Sequence, residues 1–110
     1  MVWNKKSVGH NYAIGRKTRD IHELSRLLMK LTHKVGRRMR SYGFSARGIY
    51  LALGFRDGNW WSRGYETKTL MYSNQDIYHF AKKLLFAAYI PDLATHISVS
   101  VYGCRSTIKS

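Results

Sequence analysis

The sequence is poor in acidic residues: 6 Asp and Glu stand against 19 Lys and Arg in 110 residues, a formal net charge of +13. An excess of one sign repels itself in a compact chain, so it is typical of proteins that lie against a polyanion. The acids are also isolated from one another, whereas two-metal and paired-carboxylate catalysis needs them in groups. Nucleic acid is therefore the first partner to consider.

Cysteine and metal-ligand patterns are equally scarce. The single Cys104 cannot form an internal disulfide and indicates a reducing compartment. The five histidines include no pair at i and i+4 and no neighbouring cysteine, so the usual spacing of metal ligands is missing. The sequence also lacks a phosphate loop, a dinucleotide fingerprint and a nucleophile elbow. We expect no catalysis, cofactor or metal in this domain.

Long hydrophobic runs are absent as well. The longest nearly uncharged stretch, residues 84–90, is far shorter than the roughly 20 residues that a bilayer span requires, and the N-terminus has no signal-peptide core. We expect a cytoplasmic monomer without membrane contact. Hydrophobic residues nevertheless make up 45% of the chain and aromatic residues 14%, which argues against a disordered basic tail. One self-supporting domain is predicted.

The first half of the chain predicts a strand and a long helix. Residues 7–14 fit a short strand, with Gly9 as a candidate β-bulge. Asp20 and Glu23 have the spacing of a capping box, and apolar residues then recur at helical spacing. Gly43 is suited to the turn that ends this helix after Tyr42.

The period changes to two at residues 45–56, which predicts a strand with one apolar face and one face of small residues. An Asp-Gly-Asn turn at 57–59 leads into a returning strand at 61–71. Ser73 and Asp76 form a second capping box, and Pro91 prevents the second helix from continuing. Residues 96–104 predict the last strand.

The predicted order is strand, helix, strand, strand, helix, strand. This is an α+β fold of the βαββαβ, split βαβ type, with a four-stranded, mostly antiparallel sheet. Two helices can cover one face of such a sheet, so the other face is predicted to stay open.

Basic residues fall into two groups. One group follows the first helix opposite its apolar stripe, and such a face is typically only solvated; its members are Arg26, Lys30, Lys34, Arg37 and Arg40. The other group lies at strand ends and edges, beside serines on the open face, and suits close approach to a sugar-phosphate backbone; its members are Lys5, Lys6, His10, Arg16, Lys17, Arg47, Arg56, Arg63, Lys68 and His96.

Aromatic residues give a weaker signal. Trp60 and Trp61 follow the hairpin turn and are candidates either for base stacking or for a lid over the end of the core. The open face is predicted to carry only Tyr50 and Tyr102, too few for a stacking platform. Reading of backbone shape, and therefore duplex rather than single-stranded nucleic acid, is favoured.

Five segments together resemble the little-finger domain at the C-terminal end of Y-family translesion DNA polymerases, the family of the DinB and UmuC types. They cover residues 5–104 in the family's order, and they are KSVGH at 6–10, TRD at 18–20, GFSARGIYL at 43–51, SRG at 62–64 and HISVSV at 96–101.

The resemblance implies a domain that grips the template-primer duplex in its major groove, with residues 1–6 as a linker remnant, 7–104 as the DNA-binding domain and 105–110 as a tail. It places phosphate contacts at Ser7, Gly9, His10, Ser62, Arg63, His96 and Ser100, with Lys6 in the same region. Arg47 and Arg56 join this predicted DNA-binding set from the strand-edge group.

The resemblance also implies a parent protein that is a DNA-directed DNA polymerase. Its catalytic carboxylates and its Mg²⁺ would lie in a palm domain outside this chain, so the fragment itself is expected to be no enzyme. DNA damage bypass, DNA repair and the SOS response are the implied processes, and a sliding clamp is an implied partner of the parent.

Two other interpretations stay open at this point. Split βαβ sheets on strongly basic chains also occur in RNA-binding and ribosome-associated proteins. Alternatively, the basic helix face contacts an acidic protein or a membrane surface.

Overall fold

The computed structural model describes residues 7–106. The elements, in chain order, are β1 (Ser7–Thr18), α1 (Ile21–Ser41), β2 (Phe44–Phe55), β3 (Trp60–Met71), α2 (Asn74–Phe86), β4 (Ala94–Tyr102) and β5 (Arg105–Ser106). The predicted bounds of β2, β3 and β4 differ from these by one or two residues. Strand β1 continues four residues beyond its predicted end.

The main sheet has the order β1-β4-β2-β3, and every neighbouring pair is antiparallel. Strands β1 and β2 therefore run in the same direction with β4 between them, and β3 and β4 do so with β2 between them. Each of these pairs is joined through a helix, which is the predicted split βαβ arrangement. The α+β prediction is confirmed.

The core lies between the sheet and the two helices. Apart from Met71 of β3, its largest fully buried side chains come from α1, α2 and from alternate positions of the two central strands; they include Leu24, Leu28, Ile77, Leu85, Ile49, Leu51, Leu53, Ile97 and Val99. Each such side chain contributes about 1.5–3 kcal/mol when it leaves water. The alternation in β2 and β4 was therefore a correct guide to the buried face.

The predicted bulge at Gly9 is wrong. Gly9 pairs regularly with Ser100, and the irregularity of β1 lies later, between Ala13 and Thr18. A side chain at Gly9 would place its Cβ 2.8 Å from the Cβ of Ser100. Glycine is present here because the two strands approach closely, and the sequence pattern alone does not separate that cause from a bulge.

The predicted capping box at the start of α1 is also wrong. Asp20 does cap the helix, since its side chain accepts a hydrogen bond from the His22 N–H at 3.0 Å. Glu23 instead accepts a 2.6 Å hydrogen bond from Thr18 Oγ1, and the Asp20 N–H donates to the same Thr18 Oγ1 at 3.0 Å. In a capping box the Asp20 N–H would donate to the Glu23 carboxylate directly. Here the Thr18 hydroxyl, at the end of the lengthened β1, lies between them.

The capping box of α2 is confirmed. Ser73 accepts a hydrogen bond from the Asp76 N–H, and the Asp76 carboxylate accepts from the Ser73 N–H. Within residues 7–106, neither helix combines the length and the apolar character needed to cross a membrane.

Replacing Ser73 by Ala tests this cap. The variant loses the acceptor for the Asp76 N–H, so we expect the free energy of unfolding to fall by about 1 kcal/mol in urea denaturation. Gln75→Ala is the matched control, because Gln75 is exposed in the same helical turn. Equal stability of the two variants would contradict the proposed role of the cap.

Candidate nucleic-acid interface

The sheet face that points away from the helices is called the open face below. The strand registers align its residues in four rows across β1, β4, β2 and β3. The rows are Ser7–Tyr102–Gly48–Glu66, Gly9–Ser100–Tyr50–Gly64, Asn11–Ser98–Ala52–Ser62 and Ala13–His96–Gly54–Trp60. Small and polar side chains predominate, so ligand atoms could approach the backbone closely.

Two aromatic rings lie flat across glycines at opposite ends of this face. The Tyr102 ring occupies the space where a Gly48 side chain would stand, and the Trp60 ring comes within 2.9 Å of the corresponding position at Gly54. A larger residue at either glycine would force the ring outward. The glycines therefore keep the open face low at both ends, while Ala52 and Ser98 keep it low in the row from Asn11 to Ser62, next to the exposed Tyr50.

The two tryptophans have different environments. Trp61 is half-buried and packs against the core, which favours the lid interpretation for this residue. Trp60 belongs to the open face, is 60% exposed, and its ring centroid lies 5.8 Å from that of His96. The prediction that only Tyr50 and Tyr102 occupy this face was therefore wrong, because the poor alternation of β3 concealed its register.

The structure separates the predicted contact residues by face. Five of them lie in the four rows of the open face: Ser7, Gly9, Ser62, His96 and Ser100. His10 pairs with Val99 and Arg63 pairs with Leu51, so both belong to the alternate, helix-side set of their strands. They remain accessible because β1 and β3 are the edge strands, and Arg63 is exposed. Lys6 lies outside the described residues.

Arg56 and Arg47 lie at opposite ends of the sheet. Arg56 forms an ion pair with Asp92 at 2.8 Å, although its side chain remains 60% exposed. The pKa of Asp92 is lowered, chiefly because its carboxylate accepts a 2.7 Å hydrogen bond from the Leu93 N–H and further because of the Arg56 charge. Arg47 is half-buried and donates to the Lys68 carbonyl at 3.2 Å.

The basic helix face is largely as predicted. Arg26, Lys30, Lys34 and Arg37 are exposed on α1. Arg40 is an exception, since it donates to the Tyr72 carbonyl at 2.9 Å and lies 5.8 Å from the centroid of the Tyr72 ring. It serves to hold the end of β3 against α1, so its side chain does not belong to the freely solvated face.

Sequence reasoning missed two residues near the open face. Asn11 lies in a row with Ser98, and the alternation that includes Ser7 and Gly9 could have located it. Arg105 lies in β5, which pairs with the start of β2 and was assigned to the tail. A two-residue strand carries no periodicity, so no signal in the sequence identified it.

In the described part of the chain, residues 7–106, no three His, Cys, Asp or Glu side chains are grouped so that they could hold a metal ion.

Two groups near the end of β4 have raised pKa values. Cys104 is half-buried, and this burial raises the pKa of its thiol. Desolvation and the nearby Glu66 carboxylate raise the pKa of the Tyr102 phenol. Tyr102 therefore keeps its proton, and with it a hydrogen-bond donor, on the open face.

Solved structures of Y-family polymerases share this fold. A Y-family DNA polymerase chimera of Dbh and Dpo4 matches with a TM-score of 0.80 and 20% identity over 92% of this chain and 29% of that chain. DinB from Sulfolobus solfataricus matches with a TM-score of 0.74 and 18% identity over 86% of this chain and 28% of that chain. The chain thus spans less than a third of these polymerases.

A third match is to an isolated domain. The little finger domain of PolIV, solved in complex with the beta-clamp processivity factor, matches with a TM-score of 0.70 and 12% identity over 96% of this chain and 91% of that chain. The four-stranded sheet with two helices is therefore a little-finger fold. No curated protein matches the chain significantly.

A family model matches residues 5–107, and its description is the impB/mucB/samB family C-terminal domain. The chain belongs to this family. The resemblance noted from the sequence is confirmed.

The lowered pKa of Asp92 predicts an acid dependence of stability. A carboxyl group whose pKa is lower in the folded state stabilises above its unfolded pKa of 3.8, and this contribution is lost as pH falls through the lowered value. We expect Asp92→Asn to flatten the loss of stability below about pH 4, measured as urea midpoints between about pH 6 and pH 2.

Arg56→Ala is the informative companion variant. It removes the charge but keeps the larger cause, the Leu93 hydrogen bond, so it should retain most of the acid dependence. A curve as flat as that of Asp92→Asn would show instead that the ion pair dominates.

Proposed function

We propose that this chain is the duplex-gripping domain of a translesion DNA polymerase and that it holds the template-primer backbone with its open face in the major groove. The observation that carries the proposal is the one-sided sheet. Its covered face is apolar, whereas its open face is low, polar and bounded by basic edge strands.

The dimensions of the sheet support this placement. Four strands spaced about 4.8 Å apart put β1 and β3 about 14 Å from each other. The major groove of B-DNA is about 12 Å wide. A sheet of this width would bring the residues of its two edge strands, among them His10 and Arg63, close to the two phosphate backbones that border the groove.

The type of side chain supports binding without sequence preference. Serines, backbone N–H groups and cationic side chains are typical donors to phosphate oxygens, which carry no base information. Around the exposed Tyr50, the middle of the open face has Ala52, Ser98 and Ser100, which are too short to form extensive contacts with base edges. A polymerase that copies damaged templates needs a grip that tolerates any sequence.

The parent protein is the remaining part of the proposal. Membership of the impB/mucB/samB family supports a parent that extends a primer past DNA lesions, with catalytic carboxylates and Mg²⁺ in a separate domain. DNA repair within the SOS response, in the cytoplasm, is the process we assign to it. The beta-clamp complex of the PolIV little finger supports a sliding clamp as a second partner of the parent.

Charge reversal at the edge of the sheet and on the outer surface of α1 tests which of them binds. Arg63→Glu and Lys30→Glu change the net charge equally, but Arg63 lies on the edge strand β3 and Lys30 on the exposed side of α1. We expect Arg63→Glu to weaken binding to a primer-template duplex similarly for several sequences and to lower the log-log salt slope by about 1. Lys30→Glu should leave the slope nearly unchanged. Fluorescence anisotropy at several salt concentrations measures both.

The same assay distinguishes our proposal from the competing interpretations. Tighter binding to an RNA duplex of equal length would point to an RNA-binding protein, and equal binding to DNA, RNA and heparin would reduce the chain to a general polyanion binder. If Lys30→Glu rather than Arg63→Glu abolished binding, the helix face would be the binding surface and our proposal would be wrong.

A further inference from the structure

A basic pocket lies at one end of the open face, beside Tyr102. It has a volume of about 830 Å³, and its lining includes Arg47, Lys68, Arg105, Tyr102 and Glu66. The three cationic side chains come from three different strands, β2, β3 and β5. Their convergence depends on two departures from regular sheet geometry.

The first departure is a bulge in β3. Ala46 pairs with Met71 and Gly48 pairs with Glu66, so residues 67–70 of β3 lie opposite Arg47 alone. Hydrogen bonds hold this bulge in place. Thr67 Oγ1 donates to the Arg47 carbonyl at 3.0 Å, and the Arg47 guanidinium donates to the Lys68 carbonyl at 3.2 Å. The bulge therefore positions Lys68 next to Arg47.

The second departure is the turn after β4. Gly103 has φ of +62°, a left-handed conformation that favours glycine, and it lies close to Arg47. Beyond Gly103 the chain keeps the direction of β4, and Arg105 pairs with Ser45 at the start of β2 in the same antiparallel register that pairs Tyr102 with Gly48. Arg105 is thereby brought to the same pocket, where its side chain is exposed.

The described residues neutralise the charge of this pocket only in part. Within residues 7–106 the one ion pair joins Arg56 to Asp92, at the other end of β2. Arg47, Lys68 and Arg105 outnumber the single carboxylate of Glu66 in the lining, so the pocket carries a net positive charge. The Tyr102 hydroxyl adds a hydrogen-bond donor between the pocket and the open face.

We propose that this pocket is an anion site that takes a backbone phosphate of the gripped duplex, with Lys68 and Arg105 as its main ligands. The inference rests on the proposed function, because Tyr102 belongs to both the pocket and the open face. Tyr102 and His96 are six residues apart on β4, or roughly 20 Å. Phosphate contact at the pocket would therefore lengthen the DNA footprint along the strands of the sheet.

The test compares two double variants of equal charge. Lys68→Ala with Arg105→Ala removes the pocket ligands, whereas Arg26→Ala with Lys82→Ala removes two exposed cations from the helices. We expect the pocket variant to bind a primer-template duplex about 100-fold more weakly, roughly tenfold for each lost charged contact, with the salt slope reduced by about 1.8. The helix variant should stay within about threefold of the unmodified chain.

Three results would overturn the inference, and one of them would overturn the proposed function as well. If the unmodified chain binds duplex DNA and both double variants weaken it equally, the pocket is not a phosphate site, but the proposed function stands. If the unmodified chain shows no salt-sensitive binding to DNA, the proposed function and the pocket fail together. Circular dichroism of each variant confirms that its fold is intact.

The third result concerns the source of the phosphate. Inorganic phosphate and potassium chloride are added at matched ionic strength, and backbone amide shifts of Lys68, Gly103 and Arg105 are followed by NMR. A duplex-phosphate site predicts the same small displacement of DNA by both salts. Selective shifts and selective displacement by inorganic phosphate would identify a site for the free anion and contradict our assignment.

Discussion

Two helices can cover only one face of a four-stranded sheet, and this limit governs the chemistry of the whole domain. The apolar side chains of β2 and β4 are buried against α1 and α2, so the opposite face has to be stable in water without a covering layer. Small and polar residues satisfy that requirement, and so do aromatic rings that lie flat on glycines, as at Gly48 and Gly54. A face built in this way is at the same time one that another molecule can approach closely.

The charge distribution follows from the same arrangement. Cations are excluded from the core because an unpaired buried charge is costly. With few acids available to neutralise them, they remain on edges, at strand ends and on the outer side of α1. The open face therefore lies between two charged borders, β1 and β3, and this arrangement matches the geometry of a groove between two phosphate backbones.

The sequence was a good guide where a single physical rule decided the structure. Strict alternation located the buried face of β2, and Ser73 with Asp76 located the start of α2. It failed where distant residues competed. Glu23 had the right spacing for a capping box, but Thr18 took its hydrogen bond, and Gly9 had the character of a bulge but is required by contact with Ser100.

The site was predictable in part for the same reason. Alternation assigned Ser98, Ser100 and His96 to the outside of β4 correctly. The bulge of β3 opposite Arg47 and the strand at Arg105 depend on pairing between segments far apart in the chain, and local pattern contains no information about either. The positions of Trp60, Lys68 and Arg105 could therefore be known only from the fold.

The order of strands in the sheet also determines when the domain can fold. Strand β4 lies between β1 and β2, yet it is the last long element of the chain, and Ser7 pairs with Tyr102. During synthesis β1 has no partner until nearly the whole domain has left the ribosome. Closing so long a loop is slow, and in the meantime β1 has no strand partner and β2 can pair only with β3. Completion of the sheet thus depends on β4, the last of its four long strands in chain order.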